Sequence, residues 1–367
     1  MNRSFILATG LLAGTIIGAG VFSLPYVFSQ IGWVTGFIYL IIFTLVYSII
    51  HLMYARVLQI QDGNHQFFYL AHRYFGKFAN FASLIILFEL IFVLLVYLVL
   101  APSFSTLIFG GDKVVHLIIF WLISSIFIFA RLSWMGFADF VGIVCILGII
   151  GIVFVVSWQG ELITPFFKNL DLKTFFLPFG PLLFSLAGRP AIHKVIEEYN
   201  QAKILNRPFS LKRAIFWGTA IPAVVYSFFI ISILKINPNV SPEAINSLNF
   251  ISPTLFMLLS IMGLVTLWTS YFMIGANVKD ILKIDLRYPN WLSIFIVLFV
   301  PIFLYFAGLK EFLFVISFVG SVFLALEAIF IVFLWLKAFP QNKFRYLTLP
   351  IVLIFVIALV YEVVSFF

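Results

Sequence analysis

Gly14-Thr15-Ile16-Ile17-Gly18-Ala19-Gly20-Val21-Phe22-Ser23-Leu24-Pro25 sits inside the first long apolar segment of the chain. A membrane-spanning helix has no need of three glycines and a proline within twelve positions. In hydrocarbon a broken backbone is tolerable only where the freed N–H and C=O groups meet protein, water or a ligand. Many secondary transporters build a mid-membrane substrate site from interrupted helices of this kind. The stretch therefore points to a solute carrier.

Composition places the rest of the chain in the same class. Of 367 residues, 63% are hydrophobic and 10% charged, against about 25% charged in soluble domains. A crossing takes about 20 mostly apolar residues. Eleven segments qualify as spans: Ser4–Gln30, Trp33–Gln59, Phe78–Phe109, Val114–Ala130, Phe137–Trp158, Phe175–Tyr199, Lys212–Ile236, Pro253–Leu282, Trp291–Ala307, Phe312–Ala338 and Tyr346–Phe367. The expected fold is all-α and integral to the membrane, a single transporter domain over residues 1–367. No stretch remains for a soluble catalytic domain.

The net charge of +8 is topological. With the N-terminus in the cytoplasm, Arg3, Arg56, Arg73, Lys77, Arg131 and most later Lys and Arg residues fall on the inner side. Only Lys113, Lys168, Lys173, Lys235 and Lys310 fall outside, and Arg189 lies within a span. This positive-inside bias agrees with eleven spans, an outer C-terminus and a plasma or inner membrane location. Neither a nucleic-acid partner nor an obligate protein partner is expected. Cys145 is the only cysteine, so no intrachain disulfide can form. Met1-Asn2-Arg3 runs into a full-length span without a cleavage motif, so the first span should be retained.

A weak internal repeat supports the carrier reading. The sixth span carries Pro178-Phe179-Gly180-Pro181-Leu182-Leu183-Phe184-Ser185-Leu186-Ala187-Gly188-Arg189-Pro190, crowded like the first with small residues and proline. Five spans separate the two, so the second set of five, residues 175–338, runs inverted relative to the first, residues 4–158. Interrupted helices at matching positions of two halves are the best sequence pointer to a transporter site. The last span, 346–367, falls outside the repeat. Gln59–Lys77, with Asp62, His65, His72 and Arg73 among Phe67, Phe68, Tyr69 and Phe75, reads as an interfacial amphipathic piece. Asn237–Ser252 is the main outer loop and a candidate lid.

In the first span, Gly18-Ala19-Gly20 can unwind at little steric cost, and Pro25 suits the start of a second half-helix. Such an N-terminus presents free N–H groups to a carboxylate. The same glycines would also serve close helix packing, as Gly14-xxx-Gly18 suggests. In the sixth span, Ser185-Leu186-Ala187-Gly188 is the expected break. Its carbonyls suit an ammonium group and Phe184 a side-chain wall, although a plain proline kink at Pro190 would read alike.

Thr266, Thr269 and Ser270 in the eighth span could give oxygen ligands to a small cation, or simply bond back to their own helix. Glu89, Glu327 and Arg189 are intramembrane ionisable groups and thus candidates for proton transfer or gating. They could equally neutralise one another as a Glu89–Arg189 or Glu327–Arg189 pair. His51, with Tyr54, reads as structural, and Glu197 and Glu198 as inner gate or loop partners. The five histidines show no metal-ligand spacing, and neither a phosphate-binding loop nor a nucleophile elbow is present. An intramembrane enzyme would have only Glu89 and Glu327 to offer.

Gly14 through Pro25-Tyr26 resembles the helix 1 signature of the amino acid–polyamine–organocation superfamily. It is most similar to the aromatic and hydroxy amino acid permease branch, related to the amino acid and auxin permeases. Thr269-Ser270-Tyr271, followed by Gly275 and Asp280, resembles the branch's helix 8 stretch, and Phe184-Ser185 with Gly188 its helix 6 break. The resemblance covers essentially the whole chain and implies the inverted five-plus-five fold of the bacterial leucine transporter. It would place the substrate carboxylate on the amides of Ala19 and Gly20, beside Gly18. The amino group would lie on carbonyls around Ile17, Phe184 and Ala187, with Ser185, Gly188 and the Glu89 face of the third span completing the pocket. A sodium site would draw on Gly14, Ile17, Thr266, Thr269 and Ser270. Arg189 departs from the pattern, since the branch usually shows histidine beside the glycine.

The expected function is cation-coupled symport of a neutral amino acid, aromatic or large aliphatic by analogy, with Na⁺ or H⁺ as coupling ion and no cofactor. The alternative is an amino-acid-sensing membrane subunit of the same fold, as in spore germination receptors.

Overall fold

The structure, a computed structural model, describes residues 3–61, 67–129, 132–169, 171–248 and 251–366. Asp62, His65 and Arg131 of the sequence reading lie outside the described residues. Sixteen α-helices follow one another: α1 (Arg3–Ile16), α2 (Leu24–Ile31), α3 (Trp33–Gln59), α4 (Phe67–Phe75), α5 (Ala79–Phe109), α6 (Lys113–Phe127), α7 (Leu132–Val156) and α8 (Leu172–Phe176), then α9 (Phe179–Leu186), α10 (Arg189–Ile204), α11 (Leu211–Ile236), α12 (Pro253–Asp280), α13 (Asn290–Phe306), α14 (Phe312–Phe318), α15 (Ala325–Ala338) and α16 (Thr348–Phe366). The long helices are apolar on all sides, as helices must be that face protein on one flank and lipid on the other.

Eight helices among the described residues are long and apolar enough to cross a membrane, and nine if the bent pair at the N-terminus counts as one span. α6 and α13, expected as spans, have 15 and 17 residues. Their ends explain the shortness. Asp112 caps α6, accepting from the amides of Val114 and Val115, after Gly110 and Gly111 turn at positive φ. α13 ends at Gly308, whose φ of 115° stops the helix.

Two groups of helices pack together. α1 lies against α10 and α11, and α3 packs on α10 and α11 beside it. α5, α7 and α12 form the second group, with α6 and α13 on its flank. α14 and α15 touch both groups, meeting α9 and α3 on one side and α5 on the other. Between α14 and α15 the chain takes a π-helical turn at Val319–Leu324 that sequence periodicity did not reveal. There Gly320 lies backbone to backbone against Gly180 of α9, leaving no room for a Cβ. On the loop before α9, Asp171 caps α8. The Thr174 amide and hydroxyl donate to its carboxylate, holding that group below the usual carboxylate range.

Overpacking a tight contact costs about 1–3 kcal/mol. Gly320→Ala should therefore lower the thermal unfolding midpoint of the detergent-solubilised protein. Gly10→Ala, on an exposed helical face with nothing within 4 Å, should leave it unchanged or raise it.

Candidate functional site

The first break follows from the glycine-rich run. The Ile17 amide makes the last bond of α1, to the Ala13 carbonyl at 2.9 Å. Gly18 is extended, Ala19–Ser23 form a tight 3₁₀ turn, and α2 starts with Pro25 in its first turn. The missing proline N–H costs nothing there, because the first amides of a helix have no intrahelical partner. The two segments meet at 48°.

The second interruption has the same ingredients. α9 ends at Leu186, Ala187 is extended, and α10 begins at Arg189 with Pro190 in its first turn.

The two breaks touch. A methyl group on Gly20 would lie 2.5 Å from Ser185 Oγ and 2.8 Å from its Cα. One on Gly188 would strike Ile16 and Leu12 of α1. Gly20 and Gly188 are therefore contact glycines, and only a residue without Cβ lets the two breaks approach this closely. Gly18 differs: a methyl there would meet nothing nearer than the Ile16 carbonyl at 3.9 Å. Gly18, Phe184 and Ala187 are half-buried, whereas Ile17, Ala19, Gly20, Ser185 and Gly188 are buried.

Two side chains serve the bared peptide groups, and neither was singled out for this role from sequence. The buried Tyr226 of α11 lies between the breaks, its hydroxyl 2.6 Å from the Ile16 carbonyl and 2.9 Å from that of Ser185. A hydroxyl has one hydrogen, so it can satisfy only one of these acceptors at a time. Three oxygens thus converge where a donor is short. His51, read from sequence as structural, reaches the second break. Its Nε2 accepts from the Gly188 amide at 3.1 Å, so Nδ1 carries the proton and donates to Thr219 Oγ1 at 3.0 Å. Thr219 donates onward to the Ile215 carbonyl.

His51 belongs to a stripe on α3. Tyr47 donates to the Leu183 carbonyl at 2.8 Å, ahead of the break, and Tyr54 meets His193 Nε2 at 2.9 Å beyond it. Positions 47, 51 and 54 share one helical face, so α3 runs along both halves of the interrupted helix. A lone tyrosine or histidine in an apolar span gives no sequence signal of such a task. Only the i, i+4, i+7 spacing on α3 could have suggested it.

The intramembrane charges come together. Arg189 Nε lies 2.7 Å from Glu327 Oε2, and its Nη2 lies 3.9 Å from Glu89 Oε1. Either pair was open from sequence; the structure joins all three residues. The Nε–Oε2 contact is close but poorly directed, so both atoms lack a hydrogen-bond partner, as does Glu89 Oε2. The guanidinium carbon sits 5.5 Å from the centre of the Phe67 ring of α4. Lys337 of α15 fixes α4 by donating to the Tyr74 carbonyl at 2.7 Å.

The cation-site candidates are arranged around α7. Gly14 faces Ile143, and Thr269 packs against Gly142. Thr266 Oγ1 lies 2.9 Å from the Met262 carbonyl and 3.2 Å from that of Gly142, and Thr269 donates to the Thr266 carbonyl at 3.0 Å. Gly14 of α1 and Thr266 and Thr269 of α12 thus each meet α7. Ser270 is half-buried, and an apolar cavity of about 230 Å³ borders Thr269 between α6, α7 and α12.

The family of transmembrane amino acid transporter proteins matches residues 1–366. Among curated proteins, none matches in sequence. Three solved transporters share the fold. The nucleobase-cation-symport-1 family transporter Mhp1, closed on bromovinylhydantoin, has 11% identity and a TM-score of 0.62 over 99% of this chain and 90% of its own. The manganese transporter of Eremococcus coleocola, in complex with an aromatic bis-isothiourea compound, has 15% identity and a TM-score of 0.61, covering 99% and 87%. MhsT in complex with L-phenylalanine has 14% identity and a TM-score of 0.55, covering 100% and 98%.

Removing the Tyr226 hydroxyl (Tyr226→Phe) or the His51 acceptor (His51→Ala) leaves buried peptide groups unpaired, at about 1–3 kcal/mol each. Both variants should unfold at lower temperature in detergent. His51→Gln, which keeps an acceptor, should recover part of the loss.

Proposed function

This chain belongs to the transmembrane amino acid transporter family, and we propose that it carries a neutral amino acid across the membrane by cation-coupled symport. It is an integral membrane transporter, not an enzyme. The observation that carries the finer reading is the meeting of the two breaks around Tyr226, with amides on one side and surplus carbonyls on the other. A zwitterion has the complementary pair of charges. Its carboxylate would take the amides of Ala19 and Gly20 at the N-terminal side of the second half-helix, where the helix dipole favours an anion. Its ammonium would take the Ile16 and Ser185 carbonyls that Tyr226 cannot both satisfy. Gly18, Phe184 and Ala187 would border the space for the side chain, with Glu89 at the far edge.

In this reading eleven spans form an inverted five-plus-five repeat, 4–158 and 175–338, with α16 peripheral. α6, α13 and the bent α1–α2 pair are then spans. The N-terminus is cytoplasmic, the C-terminus is outside and the location is the plasma or inner membrane. α1, α3, α10 and α11, tied by Tyr226 and the α3 stripe, would rock as one unit against α5, α7 and α12. A large apolar or aromatic substrate is favoured by the Phe184 wall and by the phenylalanine that MhsT holds. The family match is to amino acid transporters, so the reading follows that family rather than the manganese carrier.

In proteoliposomes loaded with unlabelled amino acids, the wild type should exchange at least one of the twenty labelled standard amino acids. Gly20→Val should abolish exchange, because its side chain meets the Ser185 backbone, while still reaching the membrane. Exchange at the wild-type rate in Gly20→Val would remove the site. Binding without any exchange would favour the sensing subunit.

A further inference from the structure

We propose that Glu89 and Glu327, beside Arg189, form a proton-binding site, and that the proton is the coupling ion of the transport proposed above, on which this inference rests. The cluster joins three elements. Arg189 opens α10 immediately after the break, Glu89 projects from α5 and Glu327 from α15. A guanidinium at a helix N-terminus sits at the positive end of the dipole and requires anionic partners. One carboxylate would suffice for its charge. Two are present.

The three residues are 4–8% exposed, so charge balance governs the site. Two carboxylates and one guanidinium carry a formal surplus of one negative charge, and a buried unpaired charge is costly. The neighbouring groups do not supply a second cation. From α3, Tyr47 and Tyr54 are neutral phenols and His51 is held as a neutral acceptor by Gly188. On α10, His193 is engaged with Tyr54. Lys337 of α15 is engaged with Tyr74 and Phe75 of α4, away from the cluster. On α16, Glu362 adds no positive charge. α4 turns the Phe67 ring to the guanidinium, and its His72 and Arg73 are exposed. One proton makes the cluster neutral.

The unpartnered atoms point the same way. Glu89 Oε2 is a buried acceptor without a hydrogen-bond partner, while Glu327 Oε2 lies against Arg189 Nε. A proton on Glu89 would turn an unpartnered acceptor into a donor and leave Glu327 to balance the guanidinium. In the step itself, an O–H bond of hydronium breaks as one forms on a carboxylate oxygen, and water is released. On the other side of the membrane the carboxyl returns the proton to water.

Coupling follows from where the cluster lies. Neutral, it can be sealed from water, and Arg189 stays paired with one carboxylate. Deprotonated, it carries net charge and favours a hydrated, open arrangement of α10 relative to α5 and α15. Proton binding thus stabilises the occluded carrier.

Infrared spectroscopy of the purified full-length protein at neutral pH tests the site without needing turnover. The wild type should show the C=O stretch of a protonated carboxyl that is absent from both Glu89→Gln and Glu327→Gln, since the remaining carboxylate then balances Arg189 alone. If either glutamine variant fails to fold, Glu89→Asp and Glu327→Asp should shift the band. A band unchanged in all four would overturn the proton site. In proteoliposomes with the membrane potential clamped at zero, a labelled mixture of the twenty standard amino acids reads the coupling. A gradient of one pH unit should drive up to about tenfold accumulation at one proton per amino acid, and a Na⁺ gradient none. Accumulation driven by Na⁺ and indifferent to pH would overturn the coupling while leaving the carrier intact. A carboxyl band that responds to both substitutions, with no exchange of any amino acid, would instead sink the carrier reading.

Discussion

Backbone groups freed at two helix breaks have no lipid partner, and the polar side chains of this protein are arranged around that constraint. Unsatisfied N–H and C=O groups in a low-dielectric interior each cost several kcal/mol. Tyr226 answers the carbonyls of Ile16 and Ser185, and His51 answers the Gly188 amide. Ser23 donates back to the Gly20 carbonyl at 2.8 Å within the first break. The answer is incomplete at one place only among these contacts, where one hydroxyl hydrogen faces two carbonyls. A site built to hold a ligand needs such a shortage, because a fully satisfied break would bind nothing.

The same economy of polar groups explains the division of labour between helices. α3 and α11 bear the side chains that hold the breaks; α11 packs with α1, α3 packs with α10, and the two pack with each other. α5 and α15 bear the carboxyls that reach across to Arg189. In the proposed carrier, the Ser185 carbonyl and the charge cluster would share one interrupted helix, that of α9 and α10. Gly188 connects them: its amide is held by His51 and its neighbour is Arg189. A change at the Ser185 carbonyl would then reach the guanidinium over a few residues of backbone.

Much of this was legible in the chain, for identifiable reasons. Breaks in hydrocarbon require glycine, proline and small residues, so residues 14–25 and 178–190 stood out, and the helices end at Ile16 and Leu186; the transporter family match over residues 1–366 agrees with the class read from composition. Ionisable residues are rare in spans, so Glu89, Arg189 and Glu327 stood out. Their joining into one cluster was not legible, since it depends on three helices meeting at one depth. Tyr226 gave no signal, because one tyrosine in an apolar helix looks like any buried aromatic residue. The sequence reading placed the ammonium on carbonyls around Ile17, Phe184 and Ala187. The structure turns those of Ile16 and Ser185 toward Tyr226, a matter of where each last helical turn closes rather than of residue type. The π-helical turn at Val319–Leu324 escaped for a similar reason: it coincides with the approach of Gly320 to Gly180, a contact distant in sequence.

An experimental structure with an exchanging amino acid bound is the most direct measurement. The ligand's ammonium should lie within hydrogen-bond distance of the Ile16 and Ser185 carbonyls and its carboxylate at the Ala19 and Gly20 amides, with both helices interrupted. A ligand seated elsewhere, or continuous α-helices through residues 16–20 and 186–189, would contradict it.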